Sequence, residues 1–154
     1  MGRLITKSAG WLYQLSGTES IRKENVITIQ ADEDYKIVGW TIWCELSYGS
    51  LKAYAEVQVS KYPKMVEVTG KSSDEQVNVP DNALIDWIYN EQLAIDHGTY
   101  GGPGSPRMVN KTVMLPQGSY IEWNKNETIN VHVYANADSL SWVALGLVLY
   151  LEKR

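Results

Sequence analysis

The sequence predicts an all-β protein, an antiparallel β-sandwich with at most one short helix at about residues 82–97. Short apolar-rich runs recur at intervals of about 8 to 20 residues and are separated by Gly, Pro, Asn and Asp, which is typical of sandwiches and barrels. The 154 residues are enough for one domain with a substantial core. The aromatic residues are 10 Tyr and 6 Trp without any Phe, a bias that favours half-buried sheet faces and contact surfaces.

The N-terminal part predicts an arm followed by the sandwich. Residues 1–25 mix polar and apolar side chains, so we expect an N-terminal arm with one short strand around Trp11–Leu15. Residues 26–154 are expected to form a single sandwich domain. Its first strand covers Val26–Gln30 and ends at the polar turn Ala31–Asp34.

Two strands with different patterns follow this turn. Lys36–Leu46 has an apolar face, but its opposite face carries Ile37 and Trp43, so neither side is plainly polar. Lys52–Ser60 alternates regularly, as expected for a strand with one face in the core. The residues expected to face inward are Ala53, Ala55, Val57 and Val59, and those expected to face outward are Tyr54, Glu56, Gln58 and Ser60.

The middle of the chain carries competing patterns. Met65–Thr69 predicts a short strand, Gly70–Gln76 a polar loop, and Gly98–Arg107 a second loop. Between about residues 82 and 97, the spacing of apolar residues fits one face of a helix, which is the preferred interpretation. A strand is the alternative, because another set of residues alternates with period two, namely Ala83, Ile85, Trp87 and Tyr89.

The region after the second loop predicts a strand and a hairpin. Lys111–Leu115 reads as a strand, and Tyr120–Trp123 and Thr128–Ala135 flank the turn Asn124–Glu127 in a hairpin pattern. In the second arm of this hairpin, the residues expected to face the core are Ile129, Val131, Val133 and Ala135. Those expected to face outward are Asn130, His132, Tyr134 and Asn136.

The last predicted strand, Trp142–Leu151, is apolar on both faces. Ten apolar residues are too few for a membrane-spanning helix, which needs about 20. An antiparallel strand with one wet face normally alternates, so the second face of this strand needs cover from the arm, a helix or another subunit. The candidate subunit-interface residues are therefore Trp43, Trp142, Leu145, Leu147, Leu149 and Tyr150.

The net charge and the N-terminal composition argue against a nucleic-acid-binding protein and against a secretory signal. The net charge of -4 and the pI of about 5.2 argue against nucleic-acid binding. The first residues lack the apolar stretch of a secretory signal, so we expect a soluble protein without such a signal. Two glycosylation sequons begin at Asn110 and Asn126.

The sequence shows no catalytic or metal-binding constellation. His132 is expected on a polar strand face and His97 at the end of an element, and neither has the context of a catalytic triad. Cys44 is the single cysteine and reads as a small buried hydrophobe. The acidic run Asp32–Asp34 lacks the glycine and distal glutamate of a calcium loop, so it reads as a solvated turn. We therefore predict no enzymatic activity, no cofactor and no metal.

Several segments resemble a family of virion proteins. Leu115–Trp123, Glu127–Ala135 and Ala144–Glu152 resemble the closing strands of single jelly-roll virion proteins, which form capsids, spikes or fibre heads of bacterial and archaeal viruses. Ile37–Val59, a tryptophan-rich strand followed by an alternating one, is similar to their first core hairpin. The resemblance implies a jelly-roll sandwich, a structural role in the virion, no cofactor and a symmetric homo-oligomer. Many such capsid proteins carry a strongly basic arm, whereas residues 1–25 are only weakly basic.

Two functional hypotheses follow from these observations. The first is a non-enzymatic structural subunit of a virus particle that self-assembles through apolar and aromatic strand surface. The alternative is a carbohydrate- or receptor-binding module, whose candidate contact residues are Trp87, Tyr100 and Trp123. The expected partners are further copies of the chain and, in the virion, other virion proteins or host-surface glycans.

Overall fold

The computed structural model describes residues 3–15, 19–48, 53–65, 84–90, 105–137 and 141–154. Every regular element within these residues is a β-strand, which confirms the predicted all-β class. The strands are β1 (Ile5–Leu15), β2 (Glu19–Gln30), β3 (Tyr35–Tyr48), β4 (Ala53–Ser60), β5 (Leu84–Asn90), β6 (Ser105–Met114), β7 (Ile121–Trp123), β8 (Thr128–Ala137) and β9 (Ser141–Lys153).

The strands form two antiparallel sheets. The first sheet has the order β1-β9-β3-β6, with the short β7 also paired to β3, and the second has the order β2-β8-β4-β5. When β7 is set aside, the remaining strands pair first with last, second with second-last, and so on to β4 with β5. This is the pairing of one long antiparallel ribbon rolled into two sheets, which is the jelly-roll arrangement. The predicted jelly-roll-like sandwich is therefore confirmed.

The core lies between the inner faces of the two sheets. β9 contributes every second residue to it, and these side chains are at most 1% exposed. Full burial of each such aliphatic side chain stabilises the fold by about 1.5–3 kcal/mol. The core residues of β9 and of the facing strand β8 are Val143, Leu145, Leu147, Leu149 and Leu151, and Ile129, Val131, Val133 and Ala135.

The predicted N-terminal arm is part of the sandwich in the structure. β1 pairs along its whole length with β9, from Ile5 opposite Leu151 to Leu15 opposite Ser141. β2 begins at Glu19 and pairs with β8. The expected boundary at residue 25 therefore falls inside a strand. β1 has a mixed composition because it is an edge strand, with one face half-buried and the other exposed.

The preferred helix at about 82–97 is wrong for the residues that are described. Leu84–Asn90 is a strand, and it pairs with β4 so that Ile88 lies opposite Val57. The period-two pattern prevails here because β4 supplies backbone partners and a packing surface, which outweigh a weak local preference for helix. Residues 91–97 lie outside the described residues, as do 66–83 and 98–104, which contain most of the predicted Met65–Thr69 strand, the Gly70–Gln76 loop and most of the Gly98–Arg107 loop. The last residues of that predicted loop, Ser105–Arg107, belong to β6, because they pair with β3.

The predicted hairpins also differ in the structure. β7 pairs with β3 in the first sheet, whereas β8 belongs to the second sheet, so the turn Asn124–Glu127 connects two sheets rather than two paired strands. Its backbone binds the β2–β3 turn instead: Asn126 donates to the Ala31 carbonyl, and the Ala31 amide donates to the Glu127 carbonyl, both at 2.9 Å. β3 and β4 likewise lie in different sheets, so the tryptophan-rich strand and its alternating neighbour do not pair.

Candidate interaction surface

The outer face of the first sheet, which is turned away from the second sheet, carries large apolar side chains among polar ones such as Ser8, Thr41 and Thr112. The strand register aligns its side chains in rows, so that Leu12 lies beside Ala144 and Ser8 beside Val148. The most exposed large apolar side chains among the described residues all belong to this face or its rim: Leu4 (53% exposed), Leu12 (67%), Met114 (56%) and Tyr120 (42%). We call this surface the apolar face. Its half-buried members are Trp43, Trp142, Ala144, Val148 and Tyr150.

Trp43 lies flat across the middle of the apolar face. Its register partner on β9 is Gly146, whose own partner on β1 is Gly10. A Cβ atom added to Gly146 would lie 2.0 Å from the Trp43 Nε1 atom, so the indole occupies the volume that a side chain would take there. The glycine is therefore needed for close packing of the indole on the sheet, and Trp43 shields the β9 backbone in return.

A short polar network crosses the same face next to Trp43. The Thr41 hydroxyl is hydrogen-bonded to the Tyr150 hydroxyl at 2.7 Å and to the Thr112 hydroxyl at 2.9 Å. The Tyr150 hydroxyl therefore has a partner within the sheet, and its ring presents an apolar surface outward.

The apolar face has few charges, and they lie in two of its rows. Glu45 is beside Ala144 and lines, with Leu12, Gln14 and Trp142, a depression of about 350 Å³. At the opposite end, the register partners of Lys36 in the strand ladder are Glu152 on β9 and Glu122 on β7. A larger set of contacts surrounds this second row: the Lys36 amine lies 4.7 Å from the centre of the Tyr120 ring, and Glu122 is ion-paired with Arg154 at 3.5 Å.

The outer face of the second sheet is polar, and its part on β4 and β8 is largely buried, whereas Thr28 and Gln30 on β2 are exposed. Five of the side chains predicted to face outward from β4 and β8 are at most 2% exposed, namely Glu56, Gln58, Ser60, Asn130 and His132. Tyr134, also predicted to face outward, is half-buried. Residues 61–65 contribute to this cover, because they contact both β8 and β2. The two outer faces thus reverse the usual arrangement, with the polar one largely covered and the apolar one open.

His132 is held by hydrogen bonds on both ring nitrogens. The Asn25 amide donates to Nδ1 at 3.0 Å, and Nε2 lies 2.9 Å from the Tyr62 carbonyl, so the neutral ring carries its proton on Nε2. Asn25 lies in a bulge of β2 between Lys23 and Ile27 and has a positive φ of 58°. Desolvation lowers the pKa of His132 below its usual value. Both nitrogens are used structurally, which argues against a role for His132 as a general base or metal ligand.

The acidic turn at Asp32–Asp34 is matched by basic side chains rather than by solvent alone. Asp32 pairs with Lys7 at 3.2 Å, Glu33 with Lys153 at 3.4 Å, and Asp34 with Arg154 at 3.8 Å. Hydrogen bonds from Tyr35 and Lys7 lower the pKa of Asp32, and the bond to Asp32 raises the pKa of Tyr35 to about 12. The turn therefore ties β1 and the C-terminal residues to the β2–β3 connection, a role that the sequence did not reveal.

The remaining candidates for chemistry also have structural surroundings. Cys44 is 2% exposed, and burial raises the pKa of its thiol to about 12, so the reactive thiolate is disfavoured. Asp86 accepts hydrogen bonds from the Trp40 indole and the Lys111 amine, both at 2.6 Å, and joins the two sheets at one side. Within the described residues, no group of three or more His, Cys, Asp or Glu side chains is placed to hold a metal ion.

The predicted interface residues divide between the core and the apolar face. Trp43, Trp142 and Tyr150 lie on the apolar face. Leu145, Leu147 and Leu149 are at most 1% exposed and face the second sheet, so they are not available to a partner of the folded chain. The sequence showed that both sides of β9 are apolar, but it did not show which side the second sheet covers. The exposed set is completed by four residues that were not predicted to lie at an interface: Leu4, Leu12, Met114 and Tyr120.

The predicted ligand-contact residues do not form a described site. Trp123 is fully buried, stacks obliquely on Tyr35 and donates from its indole to the Glu127 carbonyl at 3.1 Å, so it cannot stack on a sugar. The backbone of Trp87 belongs to β5, but its side chain and all of Tyr100 lie outside the described residues. The sequon residues Asn110 and Asn126 are exposed, and their glycosylation stays a prediction.

Comparisons with known proteins find similarity only among solved structures. No protein-family model and no curated protein matches the chain. It is similar to a crystal structure of the T13 IBDV viral particle (10% identity, TM-score 0.44, 97% of this chain and 31% of the other). It is also similar to a structure of the infectious bursal disease virus Gx strain (11% identity, TM-score 0.41, 99% and 32%). The chain spans about a third of the length of these proteins.

These likenesses are too weak to establish a family, and it is the strand order that establishes the jelly roll. The bacterial or archaeal origin implied by the sequence resemblance stays a prediction. Within the described part of the chain, no helical segment has the length and hydrophobicity needed to cross a bilayer.

Proposed function

We propose that this chain is a non-enzymatic structural subunit of a virus particle and that it assembles with copies of itself through the apolar face. The observation that carries the proposal is the open apolar face on a sandwich whose polar outer face is largely covered. Large exposed apolar side chains gathered on one face cost solubility in a monomer and are typical of an interaction site. Jelly rolls serve as capsid subunits and as lectins, and fold alone does not decide between these roles.

The chemistry of the polar residues supports a structural role. His132, Cys44 and the acidic turn at residues 32–34 all have partners or surroundings that favour packing over reactivity. The carbohydrate- or receptor-binding alternative depends on Trp87 and Tyr100, because Trp123 is buried. The binding alternative stays a prediction, which a glycan array can test.

Self-association is tested by sedimentation and electron microscopy of the purified chain. We expect a concentration-dependent oligomer in the micromolar to millimolar range, and a shift toward monomer in the double variant Leu12→Ser/Met114→Ser. The matched control is Gln30→Ser/Lys64→Ser, which changes two exposed residues on the side of the second sheet, away from the apolar face. A wild-type chain that stays monomeric throughout, or a control that dissociates as much as the apolar-face variant, would overturn the proposal.

A further inference from the structure

Four side chains on the apolar face are arranged symmetrically about one row of the first sheet. The central row contains Ser8, Val148, Thr41 and Thr112. Two rows away on one side lie Leu12 and Glu45. Two rows away on the other side lies Lys36, and extending the β1 register by one residue beyond Ile5 places Leu4 at the end of that row. On β3, Glu45 and Lys36 are nine positions apart, and the bulge between Ile37 and Gly39 brings them to equal distances from the central row.

This arrangement is complementary to itself. A two-fold axis along the central row places each strand over the same strand of a second copy in the opposite direction. Leu12 then meets Leu4 of the second copy, and Glu45 meets Lys36 of the second copy, each contact occurring twice as an isologous interface requires. The same rotation places Trp43 over the row that contains Tyr150. The rotation thus matches Leu12 with Leu4 and Glu45 with Lys36, and it places Glu152 over Ala144 of the second copy.

Three edge strands, β1, β2 and β6, are less suited to association than the face. On the edge strand β1, the Lys7 amine points inward, 5.6 Å from the centre of the Tyr35 ring. The edge strand β2 is bent by the bulge at Asn25, and β6 contains Pro106, which lacks an amide donor. Inward-pointing charges, bulges and prolines are devices that prevent edge-to-edge pairing of sheets.

The whole outer face of the first sheet, polar side chains included, is of a size that suits a stable dimer. Four strands spaced about 4.8 Å apart, with roughly ten residues of about 3.3 Å each, cover a projected area on the order of 600 Å². The accessible area of a surface studded with side chains exceeds its projection, so it approaches the roughly 800 Å² per partner of a standard interface.

From these observations we infer that two copies of the chain pack with their apolar faces together, related by a two-fold axis along the central row, with reciprocal Glu45–Lys36 contacts. This inference rests on the proposed self-association and specifies its geometry. It makes the first contact in the assembly a closed dimer, so that any larger particle grows from dimers through other surfaces.

Charge reversal provides the test. Glu45→Lys and Lys36→Glu, each alone, create like-charge contacts, and we expect each to weaken dimerisation by about tenfold or more. The double variant Glu45→Lys/Lys36→Glu restores opposite charges and should dimerise within about threefold of the wild type. Equimolar mixing of the two single variants should give a heterodimer tighter than either homodimer, because every contact then joins opposite charges.

Cross-linking gives an independent readout of the same geometry. Under oxidising conditions, a mixture of the Leu4→Cys and Leu12→Cys variants should form a disulfide-linked heterodimer faster than either variant alone forms a homodimer. The native Cys44 is buried and does not compete. If Leu12→Ser/Met114→Ser dissociates the oligomer while charge reversal has no effect and the cysteine mixture shows no preference, this geometry is overturned and the proposed function stands. If the wild type is monomeric, both fail.

Discussion

At the scale of single residues, Gly146 determines how Trp43 lies on the apolar face. The indole occupies the space directly above the glycine, and the two residues are register partners on neighbouring strands. A methyl group at this position has to displace a large, rigid ring that is packed on the sheet. The contact therefore couples a core strand, β9, to the shape of the outer surface.

We expect Gly146→Ala to lower the free energy of unfolding by about 1–3 kcal/mol, because overpacking forces the indole from its position. Chemical denaturation measures the change. Gly10→Ala is the matched control on the same row, since an added Cβ there meets only the Leu145 carbonyl, at 3.4 Å. Combining Gly146→Ala with Trp43→Ala should remove most of the penalty that Gly146→Ala causes alone. Additive effects of the two substitutions would contradict this account of the contact.

Periodicity in the sequence predicted the direction of many side chains but not what covers them. The alternation in β4 and β8 correctly separated Val57, Val59 and Ile129 from Glu56 and His132. The same pattern suggested that the second set meets water, whereas it is buried. Burial of an outward face depends on distant segments of the chain, such as residues 61–65, and local periodicity does not contain that information.

At the scale of elements, the bulge in β2, the strand β8 and residues 61–65 meet at His132. In the bulge, three residues of β2 (Glu24, Asn25 and Val26) lie opposite a single residue of β8. The Asn25 amide donates a hydrogen bond to the imidazole of His132. The same bulge contacts the segment after β4, because the Asn25 side chain donates to the Pro63 carbonyl at 3.1 Å. The charged groups near the ring are Arg22 and Glu24 on β2, and its partner on β4 is Gln58.

We expect the stability of the protein to fall as the pH decreases from about 7 to 5, in part because of His132. The folded-state pKa of His132 is lower than its unfolded value of about 6.5. The folded chain therefore binds fewer protons, and the stabilisation is complete above the unfolded pKa and is lost as the pH falls toward the folded pKa. Protonation also gives Nδ1 a hydrogen that opposes the Asn25 amide.

Denaturant midpoints measured across this pH range test the expectation. His132→Gln should show a smaller loss of stability on acidification than the wild type, and the control His97→Gln should behave as the wild type. Parallel pH profiles for the wild type and His132→Gln would show that the imidazole contributes nothing to the acid sensitivity.

The pairing of strands was the feature least accessible from the sequence. Turn residues at Asn124–Glu127 correctly marked a tight connection, but they did not show that it crosses from one sheet to the other. Helical spacing in the segment around Leu84–Asn90 competed with strand spacing, and pairing with β4 decided the outcome. In each case the deciding interaction joins residues that are far apart in the chain.

At the scale of the whole molecule, the first and last strands are neighbours, and β9 lies between β1 and β3. The rolled ribbon therefore depends on the N-terminal strand for closure of the first sheet. The half-buried Ile5, Ala9, Trp11 and Tyr13 of β1 pack against the core. The composition of this segment suggested an arm with one short strand, because a strand at the edge of a sheet needs only one apolar face.

Deletion of residues 1–15 should therefore abolish cooperative folding. The loss of β1 exposes one edge of β9 and apolar core residues, at a cost that is comparable to the net stability of about 5–15 kcal/mol of a typical domain. Circular dichroism and thermal unfolding provide the measurement, and deletion of residues 1–3, which precede the strand, is the control. A truncated chain that unfolds cooperatively at the wild-type midpoint would restore the arm interpretation.

The register of β1 with β9 also governs how the sandwich can be joined to other polypeptides. Ile5 lies opposite Leu151, so the incoming and outgoing backbone pass one corner of the first sheet, about one strand spacing, roughly 5 Å, apart. A short linker can bridge such a gap, which permits circular permutation with new termini in a surface connection. For the same reason, the entire sandwich can be inserted into a loop of a host protein without stretching that loop.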